Sequence, residues 1–316
     1  MVLTPQKKPP RPDLQTFHFL APTPPTCHIR ETSSFSRGDR ERLHTQQNKK
    51  VFMMNTRRLC IVLGAVLCVM GWPQSRKGWS RSKRCQRGMV WIPGGSFVRG
   101  STRGRLDERP PRKIKLSGYC LDRTEVSMKD YRKCVRAGRC KMPAALPKQY
   151  SPQRPMVAVT WHDALTFCRW ANKRLPTEAE WERAAKGKRA NLRYPVRGKL
   201  RCDKANYGAL PSYPCRKGHP GIPLKAGRYK GGPFGLQHMA GNVSEWVADC
   251  YSPNYYKKSP RTNPQNKRCN PRQSRVLRGG SLSSPPADIR TAARIAAWAY
   301  GSFLDVGFRC ASSPTK

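Results

Sequence analysis

The chain of 316 residues is long enough for one or two domains, and its 29 prolines and 25 glycines make much of it loop and turn. Its 62 Lys and Arg stand against 18 Asp and Glu, a formal charge of +44. That excess would draw acidic polysaccharide, lipid head groups or nucleic acid, unless arginine has accumulated on the surface through genome composition alone. No pattern of stacking aromatics interrupts the basic residues, so nucleic acid is not an expected partner.

Residues 1–52 carry Pro9-Pro10, Pro24-Pro25, scattered Arg and Ser, and no sustained apolar period, and are expected to be disordered. Met53 to Arg58 ends in a short basic run and is followed by the apolar run Leu59 to Met70. This is the form of a secretory signal over 53–72, with translation starting at Met53 or Met54 and 1–52 upstream of the true start. The run is too short to span a bilayer comfortably. No small-x-small pair follows it, and Ala65-Val66-Leu67 before Cys68 is a poor lipobox, so an uncleaved anchor over 59–72 stands beside cleavage as an alternative. A buried helix is the weaker reading, because nothing upstream could pack against it. The expected location is secreted or periplasmic, with membrane contact through this segment alone. Residues 73–88 read as a basic linker.

From Met89 to Ser312 the texture changes to short apolar strands, helices and tight turns, the pattern of one α+β domain with much irregular structure. Met89–Ile92 and Lys113–Leu121 read as strands. Ser127 and Asp130 form a capping box for a helix with Met128, Tyr131 and Val135 on one face, ended by Gly138. Thr160 to Asp163 opens a second helix lined by Ala164, Leu165, Cys168 and Ala171. Thr177 to Glu180 opens a third, with Trp181, Ala184 and Ala185 inward and Gly187 as its stop. Arg275–Arg278 and Val306–Cys310 are further strands. No period of 20–50 residues repeats, which excludes a solenoid or propeller.

The cysteines past the apolar run are Cys85, Cys120, Cys134, Cys140, Cys168, Cys202, Cys215, Cys250, Cys269 and Cys310. An even number in an exported chain argues for bridges. Proximity suggests Cys134–Cys140, Cys202–Cys215 and Cys250–Cys269. Zinc is the competing explanation, but no C-x-x-C occurs to present paired thiolates.

Several blocks occur in order: Met89-Val90-Trp91-Ile92-Pro93-Gly94-Gly95-Ser96-Phe97, Asp122-Arg123-Thr124-Glu125-Val126-Ser127, Lys173-Arg174-Leu175-Pro176-Thr177-Glu178-Ala179-Glu180-Trp181-Glu182, Met239-Ala240-Gly241-Asn242-Val243-Ser244-Glu245-Trp246, Arg278-Gly279-Gly280-Ser281 and Gly307-Phe308-Arg309-Cys310. Together they resemble the formylglycine-generating enzyme family, also called sulfatase-modifying factors. The resemblance implies a disulfide-rich variant of the C-type lectin-like fold over 89–312. It also implies that Cys168 bridges Cys310, closing a loop of about 140 residues. Cys85 is then left for Cys120, and no thiol past the apolar run remains free.

The family's enzyme oxidises a sulfatase cysteine to formylglycine with oxygen and copper(I) held by two cysteines, soft ligands that suit that ion. The resemblance places those ligands shortly after the Gly-Gly-Ser run, on Ser284 and on Pro285 or Pro286, depending on where a gap falls. Ser281 to Arg290 contains no cysteine, so copper is not an expected cofactor. Ser281 matches the active-site serine and, without its partners, reads as a turn cap. Other members of the superfamily use iron with a His-rich helical domain. Here only His162, His219 and His238 follow the linker, and His162 reads as a surface residue.

The resemblance further implies calcium at Glu245, Gly241 and Val243, with His238 where an oxygen ligand would stand, and at Asn206 with the Tyr207 carbonyl. Calcium wants hard oxygen, so His238 weakens the first site. Otherwise Asn242 and Glu245 would satisfy main-chain donors in their loop. The leading functional expectation is an exported, non-catalytic module whose groove near Trp246, Ser281 and Arg294 takes a peptide or an anionic polymer. The alternatives are a divergent metal-dependent oxidoreductase acting on a protein cysteine, and an assembly or chaperone role in the cell envelope.

Overall fold

A computed structural model describes residues 85–188, 192–208, 215, 221–229, 231–269 and 274–314. The expectations for 1–52, for the signal over 53–72 and for most of the linker lie outside the described residues. So does His219.

Strand β1 (Met89–Ile92) pairs antiparallel with β4 (Tyr119–Asp122), and β4 with β9 (Ala311–Ser312). Strands β2 (Gly95–Arg99) and β3 (Arg112–Leu116) form a separate hairpin. A four-stranded sheet has the order β7 (Ile295–Trp298), β6 (Ser274–Arg278), β5 (Ser244–Cys250), β8 (Val306–Phe308), with β5 and β8 parallel. The architecture is α+β with long connecting loops.

The expected strand Lys113–Leu121 is broken in two at Ser117-Gly118. The chain turns there so tightly that a Cβ on Gly118 would stand 2.2 Å from the Trp91 ring. The expected strand Val306–Cys310 is also divided. It leaves the large sheet after Phe308, and Ala311 enters the other sheet opposite Leu121. Strands β2, β5 and β7 carry no clean alternation of polar and apolar residues. In β5 almost every residue is buried, including Glu245 and Asp249, so the period-two signal is absent.

The three helices lie where their caps predict. Helix α1 is Met128–Arg136, with Ser127 Oγ accepting from Asp130 N at 3.1 Å. Helix α2 is Trp161–Trp170 and α3 is Glu178–Lys186. Both have reciprocal capping boxes, Thr160 with Asp163 and Thr177 with Glu180. The inward faces differ in detail. Cys134 rather than Val135 is buried on α1, and Phe167 joins Ala164 and Cys168 on α2 while Leu165 and Ala171 are half-buried. Phe167 stacks on Tyr131 and meets Phe308 edge-on, tying α1, α2 and β8 into one core.

Five disulfides join the expected partners: Cys85–Cys120, Cys134–Cys140, Cys168–Cys310, Cys202–Cys215 and Cys250–Cys269. Cys168–Cys310 spans 142 residues and fastens α2 to the crossing between β8 and β9. In the chain-entropy account a loop of that size contributes roughly 5 kcal/mol.

Candidate functional site

The Arg278-Gly279-Gly280-Ser281 turn leaves β6 through two left-handed glycines, φ 87° and 63°. A Cβ on Gly280 would stand 2.7 Å from the Ile289 side chain, so the turn closes only without one. The turn delivers Ser281 to a small polar cluster. Ser281 Oγ donates to Asp305 Oδ2 at 2.7 Å and accepts from Ser283 N at 3.2 Å. Ser284 Oγ accepts from Ser281 N at 2.9 Å. The two hydroxyls are 3.4 Å apart. Ser281 thus holds a turn and a neighbouring loop together. Its hydrogen-bond partners are the Ser284 hydroxyl, the Asp305 carboxylate and the Ser283 amide. Every cysteine among the described residues is in a disulfide. This donor set does not fit copper(I), which takes soft thiolates.

Glu245 is fully buried on β5. Arg309 donates to it from Nε and Nη2, both at 2.7 Å, and Trp181 Nε1 donates at 2.8 Å. Arg309 also donates to the carbonyls of Asp122, Arg123 and Gln237, so the pair staples four segments. Both Glu245 oxygens are taken by a guanidinium and an indole, and the positive charge is already in place. The expected calcium site at Glu245, Gly241 and Val243 is therefore not matched by this arrangement. At the Asn206 site the residue is tied to Asn242 through its amide nitrogen and main-chain carbonyl. Asn206 donates from Nδ2 to Asn242 Oδ1 at 3.1 Å, and its carbonyl accepts from Asn242 N at 2.7 Å. No group of three or more His, Cys, Asp or Glu able to hold a metal occurs among the described residues.

Trp246 and Arg294 are both buried, and Arg294 lies at the base of a shallow open cavity with Arg105, Tyr251 and Ile295. Trp246 is fully buried with Nε1 donating to the Val159 carbonyl at 3.0 Å. Arg294 is buried because Glu178 takes its Nε at 2.6 Å and its Nη2 at 3.0 Å, while Tyr251 and Tyr256 cover its plane. It belongs to a lattice of buried charges that sequence reading missed. Glu182 accepts from Arg278 Nη2 at 2.9 Å and Gly100 N at 2.7 Å, and pairs with Lys186 at 2.7 Å. Lys186 and Arg278 hold the Glu182 carboxyl down at about 2 against the cost of burial. Asp249 sits beside Glu178, and burial together with that like charge pushes its carboxyl up to about 7. Arg290 grips Glu108 bidentately at 2.8 and 2.7 Å.

The segment that leads into Asp305 carries exposed apolar side chains. Trp298 is 57% exposed, Tyr300 53% and Leu304 53%, and Phe303 is exposed as well. His162, exposed as expected, packs its ring on Tyr300 at 4.7 Å. The segment is held by Phe303 O accepting from Ala158 N and by Ser302 Oγ donating to the Ala158 carbonyl. It runs directly into Asp305. Trp298 ends β7, the edge of its sheet, and Tyr300, Phe303 and Leu304 follow in the loop beyond it.

Among the described residues no helix is long and apolar enough to cross a membrane. Residues 76–314 match the model of the sulfatase-modifying factor enzyme 1-like domain, FGE-sulfatase. A serine/threonine-protein kinase Pkn1 of Chlamydia trachomatis is 34% identical over 71% of this chain, which spans only 38% of that kinase. A formylglycine-generating enzyme of Thermomonospora curvata is 32% identical over 72% of this chain and 94% of the enzyme. Among solved structures, PvdO from Pseudomonas aeruginosa superposes with a TM-score of 0.59 at 25% identity, covering 71% of this chain and 94% of PvdO. The fold is accordingly the sparsely helical, disulfide-rich variant of the C-type lectin-like fold. From its motifs, its fold and a match over most of its length, the chain belongs to the sulfatase-modifying factor enzyme 1-like (FGE-sulfatase) family.

Proposed function

We propose that the domain is an exported, non-catalytic binding module that takes a peptide or an anionic polymer. The observation that carries this reading is the serine cluster. Ser281 and Ser284 occupy the family's active-site region with hydroxyls bonded to each other's loop and to Asp305, and every described cysteine is in a disulfide. The exposed rings of Trp298, Tyr300 and Phe303, on the segment that leads into Asp305, offer stacking surface, and a formal charge of +44 favours an acidic ligand. The partial match to a much longer kinase suits a recognition module that can be joined to other activities. Disulfide density supports export.

The test uses low-molecular-weight heparin and an acidic tyrosine-containing peptide at 50 mM and 500 mM NaCl. Charge alone gives binding that disappears at the higher salt. The reading expects a salt-resistant part that Trp298→Ala with Tyr300→Ala removes. Identical behaviour of wild type and variant would overturn it.

The second reading, a divergent oxidoreductase acting on a protein cysteine, draws on the relative that bears the enzyme's name. It requires that a cysteine-containing peptide lose its thiol in air in the presence of the protein. Unchanged thiol content, with copper or without, eliminates it.

A further inference from the structure

Helix α2 carries Trp161, Leu165 and Arg169 at four-residue intervals, so the three share one side. That side lines a cleft of about 510 Å³. Leu165, Leu175 and Ala248 supply its aliphatic lining, and Lys267 enters from a separate loop. Arg275 stands at the start of β6, the end of that strand away from Ser281. Its guanidinium stacks on the Trp161 ring at 3.6 Å, and Nη1 donates to the Ala248 carbonyl at 3.1 Å. The stack fixes this cation at the Trp161 end of the cleft. Arg169 lies two turns further along α2, about 12 Å down the helix axis.

The cations of the cleft outnumber their partners. Arg169 and Lys267 are exposed, and among the described residues neither side chain has an ion pair. Arg174 is satisfied, because it grips Glu180 bidentately with both contacts at 2.6 Å. That occupies the one carboxylate among the described lining residues. Asp249, whose charge reaches Arg275, is buried and already accepts from Glu178 N and Asn266 N, both at 2.8 Å. Burial therefore pushes the Arg275 guanidinium down from its ordinary value, with only partial opposition from Asp249. A half-buried cation without a carboxylate of its own is one that an incoming anion stabilises.

The spacing selects the ligand. An extended peptide advances about 3.3 Å per residue and turns every second side chain to the same face. Residues i and i+4 then stand about 13 Å apart on one face, which matches the run from the Arg275–Trp161 stack to Arg169. Residue i+2 falls between them on that face, against the aliphatic lining. A sulfated or uronate polysaccharide carries hydroxyls all round and would lose their hydration against Leu165, Leu175 and Ala248.

We propose that this cleft binds an extended peptide of the pattern acid-x-aliphatic-x-acid. One carboxylate meets Arg275, the other meets Arg169, and the aliphatic side chain packs on Leu165, Leu175 and Ala248. Lys267 adds to the positive field of the cleft. The inference rests on the binding-module reading, for which it names a ligand class, and it uses a surface other than the exposed rings of Trp298, Tyr300 and Phe303.

Calorimetric titration of the full oxidised chain in 150 mM NaCl tests it. The probes are N-acetylated, C-amidated Glu-Ser-Leu-Ser-Glu and its isomer Ser-Glu-Leu-Glu-Ser. Both have the same composition and charge, but the isomer sets its acids only two residues apart and turns its leucine to the other face. The first peptide should bind at one site per chain, and the isomer at least tenfold more weakly. Arg169→Ala with Lys267→Ala, both exposed, should weaken the first peptide at least tenfold with the melting temperature unchanged, and bring the two peptides level. Arg275→Gln should do the same, and the exposed pair keeps the test decisive if that variant does not fold. The proposal is overturned if the first peptide does not bind, if the isomer binds equally well, or if the Arg169 and Lys267 variant binds as wild type does. It is also overturned if a heparin tetrasaccharide binds through Arg169 and Lys267 more tightly than the peptide, which would give the cleft to a polysaccharide. If neither peptide binds while heparin keeps the salt-resistant part that Trp298→Ala with Tyr300→Ala removes, the cleft falls and the binding-module reading stands.

Discussion

Ser281 Oγ donates to Asp305 Oδ2 at 2.7 Å, joining the turn after β6 to the loop that enters β8. In a catalytic member this turn would stand beside two thiolates. Here it is a structural tie. Ser281→Ala should cost about 1.5–3 kcal/mol of unfolding free energy, the usual worth of a hydrogen bond to a charged partner, at a site that is buried. Urea denaturation checks this, and the exposed rings of Trp298 and Tyr300 should keep their ligand binding.

The buried charges predict much larger effects. Glu178→Ala leaves Arg294 without its carboxylate inside a shell of tyrosines. Breaking a buried pair by removing one member typically costs 3–5 kcal/mol. The loss should appear in urea denaturation and should exceed that of substituting an exposed arginine such as Arg197→Ala or Arg228→Ala.

Stability should depend on pH in two opposite senses. The Glu182 carboxyl is lowered to about 2, so its pair with Lys186 and Arg278 stabilises fully above its unfolded value and is lost as pH falls from about 4.5 towards 2. The Asp249 carboxyl is raised to about 7, so the folded state holds a proton the unfolded chain has released. Its contribution weakens as pH rises from about 4 to about 7. Unfolding free energies measured at pH 3, 5 and 8 should therefore be highest near 5. Carboxyl carbon NMR should find Asp249 titrating near neutrality. A midpoint near 4 would contradict this account of the site.

Calcium should not matter to the fold. Glu245 is neutralised by Arg309, and Asn206 is bonded to Asn242. Melting temperatures in excess chelator and in millimolar calcium should agree. A rise of several degrees with calcium would show that a site exists despite those contacts.

Much of the scaffold was legible because its signals are local. Thr160 with Asp163 and Thr177 with Glu180 cap helices within three residues. Cys134–Cys140 and Cys202–Cys215 close short loops. The resemblance supplied Cys168–Cys310, which local spacing could not. What was not legible depends on distant partners. Arg294 reads as a surface charge until Glu178, 116 residues earlier, is seen to enclose it. His238 reads as a defect in a metal loop until Glu125 is found against it. Strand β5 hides because its acids face an interior already supplied with arginines, so hydropathy gives no period.

The central claim is that no thiol in this domain is available for copper chemistry. The direct test is a copper(I) competition titration of the oxidised chain carrying Cys27→Ser, Cys60→Ser and Cys68→Ser, with alkylation of free thiols after denaturation. The account predicts no copper(I) taken from the competing chelator and no alkylated cysteine between Cys85 and Cys310. Stoichiometric copper(I) binding, or an alkylated cysteine in that range, would contradict it.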